Sequence, residues 1–410
     1  MRQRATASIG GISQLSRWWP FLLVGPVVLL IRFPGWPQEL ASWLWVIVAA
    51  AMLIQLMMMR QNRILVPVAV MIAGFLTWSV LSLLWSPEVA SGLRFIGLVG
   101  IAFMAYLWGS ATGPPTPGKG VWWVGALGLG FAVAGLLLIP RPQPYNALNP
   151  DRILAMGVIV SLVALWYGPH KRWFTALAGL AGLGIVVASG SRMTTLIVLI
   201  LLAAAPGLKL PRPGRTLVAV ALLTLVGIAT TTEGFQQRWF ESREGTFIDF
   251  ITLQEIDSSG RTQVWQSVAA SCGLTVLGNG AGAADGLAEA VNPAFPEPHN
   301  EYLRVGCDTG LVGSLLLWGA LILFAVRATT ALRNNTGTRW AHHAGIQLTF
   351  ALTLLAATDN PLTTTVAFLV PAALAMGWSS HSQLEIGSPR GQSARRQQID
   401  KKPSRGRHLK

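Results

Sequence analysis

The sequence predicts an all-α polytopic membrane protein of about twelve transmembrane helices with one large outer loop, and three observations lead there. Hydrophobic residues make up 52% of 410 positions while charged residues make up 12%, a balance outside the usual range for a soluble domain. Apolar runs recur along the chain at near-membrane length. Basic residues gather in alternate connections and acidic residues in the others.

The apolar runs, taken in order, are centred on residues 18–33, 41–59, 64–85, 92–108, 121–139, 153–167, 173–188, 193–205, 217–232, 302–326, 345–358 and 362–378. Several are shorter than the roughly 20 residues of a straight crossing. The pair flanking "SGSR" (189–192) is the one that could be merged into a single helix. Merging would leave an odd number of crossings and move the basic loop "KLPRPGR" (209–215) across the membrane, so the pair is read as two helices.

An even number of crossings places both termini on one side. With the tails cytoplasmic, Arg60, Arg63, Lys119, Lys171, Arg172, Lys209, Arg212, Arg215, Arg327, Arg333 and Arg339 fall inside, with the basic residues of both tails. Most of the 17 acids fall outside. The net charge of +14 therefore reports topology and lipid contact, not nucleic-acid binding. The expected organisation is an N-terminal tail (1–17), nine helices (18–232), an outer loop with short helices (233–300), three helices (301–378) and a basic disordered tail (379–410). No cleavage site follows the first apolar run, which is read as an uncleaved helix.

The outer loop has room for chemistry. In "DSSGRTQVWQSVAASC" (257–272), Ser258 or Ser259 would cap a helix that turns Val264, Trp265, Val268, Ala269 and Cys272 to one face. Arg261 then falls in its first turn, where a guanidinium and unpaired N–H groups suit an anion; pairing with Asp257 fits the residues equally well. In "EPHNEYL" (297–303), two prolines hold an extended approach, Asn300 caps the next helix and His299 stands just outside it. The helix dipole disfavours a charged ring there, while Glu301 and Asp308 pull the other way. An interfacial histidine without catalytic work is the alternative. Arg192, in a tight turn at the outer boundary, needs either an anion or a path to the interface. Arg94, Arg141 and Arg152 lie near the same face, either as anion ligands or as helix anchors.

Taken together these segments resemble the O-antigen ligase and O-antigen polymerase family. "PHNEYLRVGCDTGLVG" (298–313) is similar to its H-N-x-Y-L motif with the following G-x-x-G. "SGSRMTTL" (189–196) resembles its S-x-S-R segment, and "SGRTQVWQSV" with "LGNGAG" resembles its G-R-x-x-x-W helix and glycine turn. "LLWSPE" (83–88) and "LNPD" (148–151) are weaker matches, the second carrying Asp151 where the family has asparagine. The resemblance implies a C-type glycosyltransferase-like fold in the bacterial inner membrane, with the loop as a large periplasmic loop. It implies transfer of a glycan from undecaprenyl diphosphate to an acceptor sugar of lipid A-core, or to a growing glycan if the chain is a polymerase. Carried onto this sequence, His299 is the general base and Arg192 and Arg261 bind the donor diphosphate; Asn300, Tyr302, Arg94 and Arg152 are candidate supporting residues.

The residue types agree with that chemistry. Breaking a sugar–diphosphate bond builds negative charge that two guanidiniums can stabilise, and an imidazole can take the acceptor proton. The outer loop has no D-x-D and no His/Cys cluster at metal spacing, so no metal and no cofactor are expected. A transporter or flippase of a lipid-linked or anionic solute would use the same arginines without needing His299. "GNGAGAADG" (278–286) reads as a flexible turn rather than a phosphate loop. In "TDNPL" (358–362), Asp359 or Asn360 would cap the last helix and Pro361 would open it. Cys272 and Cys307 lie on the same oxidising side; a packed free cysteine is the more ordinary state, and a bridge between them is left open.

Overall fold

The computed structural model describes residues 50–57 except 55, 66–114, 150–166, 172–188, 191–204, 233–242, 244–252, 260–273, 275–293, 296–334, 338–363 and 366–387, with a few isolated positions besides. The expected segments at 18–33, 121–139 and 217–232 lie almost wholly outside them, as do Arg141, Asp257 and the tail from 388.

Among the described residues the architecture is helical. The helices are α1 (Val66–Ser82), α2 (Val89–Thr112), α3 (Pro150–Trp166), α4 (Arg172–Ala188), α5 (Arg192–Ala204), α6 (Glu233–Trp239), α7 (Phe247–Thr252), α8 (Arg261–Cys272), α9 (Ala283–Val291), α10 (Glu301–Asn334), α11 (Arg339–Leu355) and α12 (Val366–Gly387). Among the described residues, three stretches are long and apolar enough to cross a membrane: Pro67–Trp85, Val89–Thr112 and Glu301–Arg333. Helices α4 and α5 are separate and pack on each other, as expected for the two sides of "SGSR". Short helices α6 to α9 occupy the loop region.

Helix α12 lies along α2 and α11, α1 lies along α10, and α3 joins α4 and α5 against α11 and α12. Between lipid-bathed helices the hydrophobic drive is weak, so close packing through small residues carries the association. A Cβ placed on Gly377 would meet the Tyr106 carbonyl oxygen at 2.3 Å, and one on Gly109 would meet the Leu374 carbonyl oxygen at 2.6 Å. Phe75 and Phe95 meet edge to face at 6.1 Å between α1 and α2.

Helix α12 corrects the expected start of the tail at 379, because it continues to Gly387 with Ser379, Ser380 and Ser382 buried. Their hydroxyls have partners inside the bundle: Tyr106 Oη donates to Ser380 Oγ at 3.3 Å, and Ser379 Oγ lies 2.8 Å from His342 Nδ1. A polar run that looked solvated is a hydrogen-bonded seam.

Helix α10 is broken at Gly310, whose φ of 65° and ψ of −161° are non-helical. The break gives a short helix carrying Glu301 to Thr309 and a longer apolar one beyond. The N–H groups freed at the second start are taken by the loop, Leu311 N donating to Thr275 O at 3.0 Å and Val312 N to Val276 O at 3.2 Å. The backbones approach so closely that a Cβ on Gly310 would lie 2.4 Å from Gly278 N, and one on Gly278 would lie 2.4 Å from Asp308 O. The glycine turn expected to be flexible is therefore clamped. Asp308 holds it by accepting from Gly282 N at 2.9 Å and Ala284 N at 2.8 Å, and Ser86 Oγ donates to Ala281 O at 2.6 Å. "LLWSPE" and "LGNGAG", far apart in sequence, are two sides of this one contact.

Cys272 and Cys307 form a disulfide across Cα atoms 5.2 Å apart, joining α8 to α10. It lies in a small core of Val264, Val268, Ala283, Ala284 and Ala288, where few apolar side chains are available to hold the loop. This replaces the free-cysteine reading. The sequence reading expected both cysteines in one compartment but had no means to show that α8 returns alongside α10.

Two stability measurements check this packing. Gly377→Leu should cost about 1–3 kcal/mol by overpacking, seen as a lower melting midpoint of the purified protein. The Cys272–Cys307 bridge spans a sequence separation of 35, so replacing both cysteines by serine should cost about 3–4 kcal/mol. An unchanged midpoint for the double variant under non-reducing conditions would contradict that role.

Candidate active site on the outer loop

The arrangement is built from the start of α10 outward. Pro298 restricts Glu297 to extended backbone, and the chain then turns at His299, whose φ of 52° makes it the non-glycine residue in the left-handed region among those described. Such a conformation costs about 1 kcal/mol or more and persists where its surroundings hold it. Asn300 does what its sequence position suggested: its Oδ1 accepts from Leu303 N at 3.0 Å and caps α10.

The turn between α11 and α12 comes up against this start. Glu301 N donates to Ala356 O at 2.7 Å, and Leu362 N donates to Glu301 Oε1 at 3.2 Å. His299 is buried at 5% exposure. Its Nδ1 lies 3.1 Å from Asn360 Nδ2 and 3.9 Å from Asp359 Oδ1. The reading of Asp359 or Asn360 as a cap for the last helix is thus corrected. Helix α12 starts only at Val366, and both side chains turn to the histidine.

Helix α8 forms the third wall. Its preceding residue is Gly260 in left-handed conformation, with Arg261 N donating to Ser258 O at 3.1 Å and no side-chain cap. Of the two serines expected to cap it, Ser258 does so only through its backbone carbonyl, and Ser259 lies outside the described residues. Arg261 is the first helical residue, and its Nη1 donates to Thr358 O, next to Asp359. Trp265, one turn along, donates from Nε1 to Pro298 O at 2.6 Å, next to His299. Val264, Val268 and Cys272 face inward as expected, whereas Trp265 is half-buried and Ala269 is exposed.

A buried ion cluster supports this convergence. Arg304, 1% exposed, reaches Asp285 Oδ1 at 2.8 Å, Glu297 Oε2 at 3.6 Å and Glu301 Oε2 at 3.5 Å. It joins α9, the proline-flanked approach and α10 through one guanidinium. Burial pushes the Asp285 carboxyl above its ordinary range, while Arg304 pulls it down. Glu301 and Asp308, expected to act on the histidine, face Arg304 and the glycine turn instead. The acids near the ring are Asp359 and, through Asn360, Glu297, whose Oε2 accepts from Asn360 Nδ2 at 2.5 Å.

The other candidates are placed as follows. Arg94, on α2, reaches Glu297 Oε1 at 3.4 Å with 59% of its side chain exposed. Arg192 opens α5, where Thr195 N donates to Ser191 O at 3.0 Å, and its guanidinium lies 6.0 Å from the Trp239 ring of α6. Tyr302 stacks on Trp318 at 4.3 Å and donates to Thr353 O at 2.9 Å, bracing α10 on α11. Arg152 lies in α3, with its side chain outside the described residues. Arg304, Asp285, Glu297, Asp359 and Asn360 were not singled out from sequence as site residues. A charged residue inside an apolar helix, as Arg304 is, was the available signal.

The fold defines a helical membrane protein with a polar site at one end of its bundle. Residues 177–318 match the family model described as O-antigen ligase, so the family that the motifs resemble is shown over the stretch holding Arg192, Arg261 and His299. No curated protein matches the chain. The family implies a glycosyltransferase-like enzyme of glycan processing, with lipid-linked substrates in a membrane setting.

Removing Arg304 leaves its carboxylates buried without their cation. Arg304→Met should destabilise the protein by about 3–5 kcal/mol, measured as reduced yield and a lower melting midpoint. Wild-type behaviour would show that the cluster does not hold the loop.

Proposed function

We propose that this protein is an O-antigen ligase of the bacterial inner membrane. It takes a glycan from undecaprenyl diphosphate and passes it to a sugar of lipid A-core on the periplasmic face, with both termini cytoplasmic. The observation that carries the reading is the meeting of His299 and Arg261 at one turn: Arg261 on Thr358 O, and the ring 3.9 Å from Asp359 Oδ1.

In the proposed reaction the acceptor hydroxyl attacks the anomeric carbon as the bond to the diphosphate oxygen breaks, inverting that centre. The hydroxyl proton passes to His299 Nε2. For that nitrogen to accept, the ring's own proton must stay on Nδ1, with Asp359 Oδ1 drawing in from 3.9 Å to accept its hydrogen bond in place of the Asn360 Nδ2 contact and to steady the imidazolium formed. Burial of the ring keeps water from competing with the sugar hydroxyl. Charge leaving on the diphosphate is met by Arg261, fixed at a helix N-terminus whose dipole has the same sign, and by Arg192 at the start of α5. With two guanidiniums in those roles the step is proposed to need no metal. Arg94, half outside the cluster, stands where a further anionic group of either substrate would approach.

His299→Ala should reach the membrane with its disulfide formed while transfer falls about 10²- to 10⁴-fold. Transfer of lipid-linked glycan to purified core acceptor measures it, and normal transfer would defeat the assignment. Arg261→Lys and Arg192→Lys should each transfer poorly, because an ammonium cannot make the two parallel hydrogen bonds of a guanidinium. In cells, loss of all long chains with lipid-linked polymer accumulating indicates a ligase. A core bearing a single repeat indicates the polymerase instead.

A further inference from the structure

The stretch of the outer loop between α8 and α9 carries apolar side chains where water would favour polar ones. From Gly273 to Ala284 the sequence has no charged residue, and Val276 and Leu277 point outward, 61% and 54% exposed. Their backbone is bonded to two other segments. Thr275 O accepts from Leu311 N at 3.0 Å and Val276 O from Val312 N at 3.2 Å, at the restart of α10. Gly278 O accepts from Trp85 Nε1 at 3.2 Å, just past the end of α1. Those neighbours are exposed and apolar too: Leu84 and Trp85 on one segment, Leu311 and Leu315 on the other.

Continuity shows what covers this patch. Leu84 and Trp85 close the crossing stretch Pro67–Trp85, while Leu311 and Leu315 belong to Glu301–Arg333. Along α10 the exposed apolar face runs on through Ile322 and Val326 at the spacing of one helix side, and along α1 it includes Val70 and Val80. A membrane helix turns such a face to lipid, and Val276 and Leu277 extend it. Backbone that approaches lipid must bring its hydrogen-bond partners with it. Here the carbonyls of Thr275, Val276 and Gly278 are taken, and Gly278 N donates to Thr275 Oγ1 at 3.1 Å. Trp85 stands beside Trp78 with ring centroids 5.9 Å apart. An indole pair at the end of a crossing stretch marks the level of the membrane boundary.

We infer that Val276 and Leu277 form a membrane wedge, resting at the boundary between headgroups and acyl chains of the leaflet on the site's side. The partner is bilayer lipid, held through apolar area and without charge. The wedge is coupled to the site's support. Leu277 is followed by Gly278, where a Cβ would lie 2.4 Å from Asp308 O, and Asp308 also holds Gly282 N and Ala284 N. Anchoring Leu277 in lipid therefore fixes the height of the glycine turn, and of the short first segment of α10, over the bilayer. The inference rests on the chain being a membrane protein and not on the reaction proposed for it.

The test places a polarity-sensitive fluorophore on Leu277→Cys and, separately, on Val276→Cys in the full-length protein. The protein is reconstituted in vesicles of phosphatidylethanolamine and phosphatidylglycerol. With Cys272 and Cys307 bridged, the added thiol takes the label. Leu315→Cys serves as the reference in lipid, and Glu289→Cys, on the exposed side of α9, as the reference in water. Both wedge labels are expected to emit to the blue of Glu289 and to be quenched by lipid brominated on its upper acyl carbons, as at Leu315. Aqueous iodide should quench them several-fold less than it quenches Glu289. Quenching by iodide as strong as at Glu289 would overturn the inference. Shielding from both quenchers would also overturn it, because protein, such as a second copy of the chain, would then cover the patch. The unaltered chain gives an independent reading: a photoreactive phospholipid should leave adducts on Val276 or Leu277. Adducts on α10 without any on that pair would count against the wedge even if neither cysteine variant folds.

Discussion

One buried guanidinium holds the candidate site together. Arg304 takes a carboxylate from α9, one from the approach to His299 and one from its own helix. An unpaired charge at that depth would be costly, so the acids and the arginine hold one another in place. Each carboxylate brings a different segment with it. The proline-flanked approach is thereby fixed against α10, and the left-handed turn at His299 has no freedom to relax.

The consequences spread from that point. Glu297, held by Arg304, holds Asn360, and Asn360 faces the ring. The break at Gly310 lets the first turns of α10 leave the direction of the membrane helix, and Asp308 uses that short segment to clamp the glycine turn. The disulfide ties α8 to the same segment, which keeps Arg261 beside the turn that carries Asp359. Rigid support of this kind suits the proposed transfer from a lipid-linked donor. A leaving diphosphate is stabilised only by groups already in position when charge develops, and a mobile loop would have to pay that ordering during the reaction.

Much of this was legible in the sequence, and the reasons differ by element. The runs at 64–85, 92–108, 153–167, 173–188 and 193–205 match helices within a few residues, because apolar length is a local property, whereas α10 runs on to Asn334 and α11 begins at Arg339, beyond the apolar runs at 302–326 and 345–358. Asn300 is the cap it looked to be, since capping is decided within four residues. The glycine turn was misread as loose because what fills its space comes from Ser86, Asp308 and Gly310, none of them nearby in sequence. Ser379 and Ser380 looked like the start of a tail because their partners are on α11 and α2. Asp359 and Asn360 were taken for helix caps because capping was the only local use for them.

By itself the sequence determined that the chain is helical and membrane-embedded, which segments are apolar, and that histidine and arginine stand in motifs resembling one family. Those are matters of composition and short spacing. Only the tertiary structure decided that Arg261 and His299 share a turn, that Cys272 meets Cys307, and that Glu297 reaches the ring through Asn360. Each of these joins residues from tens of positions to nearly a hundred apart, and a hydrogen bond or ion pair depends on distances of a few ångströms that spacing along the chain does not contain.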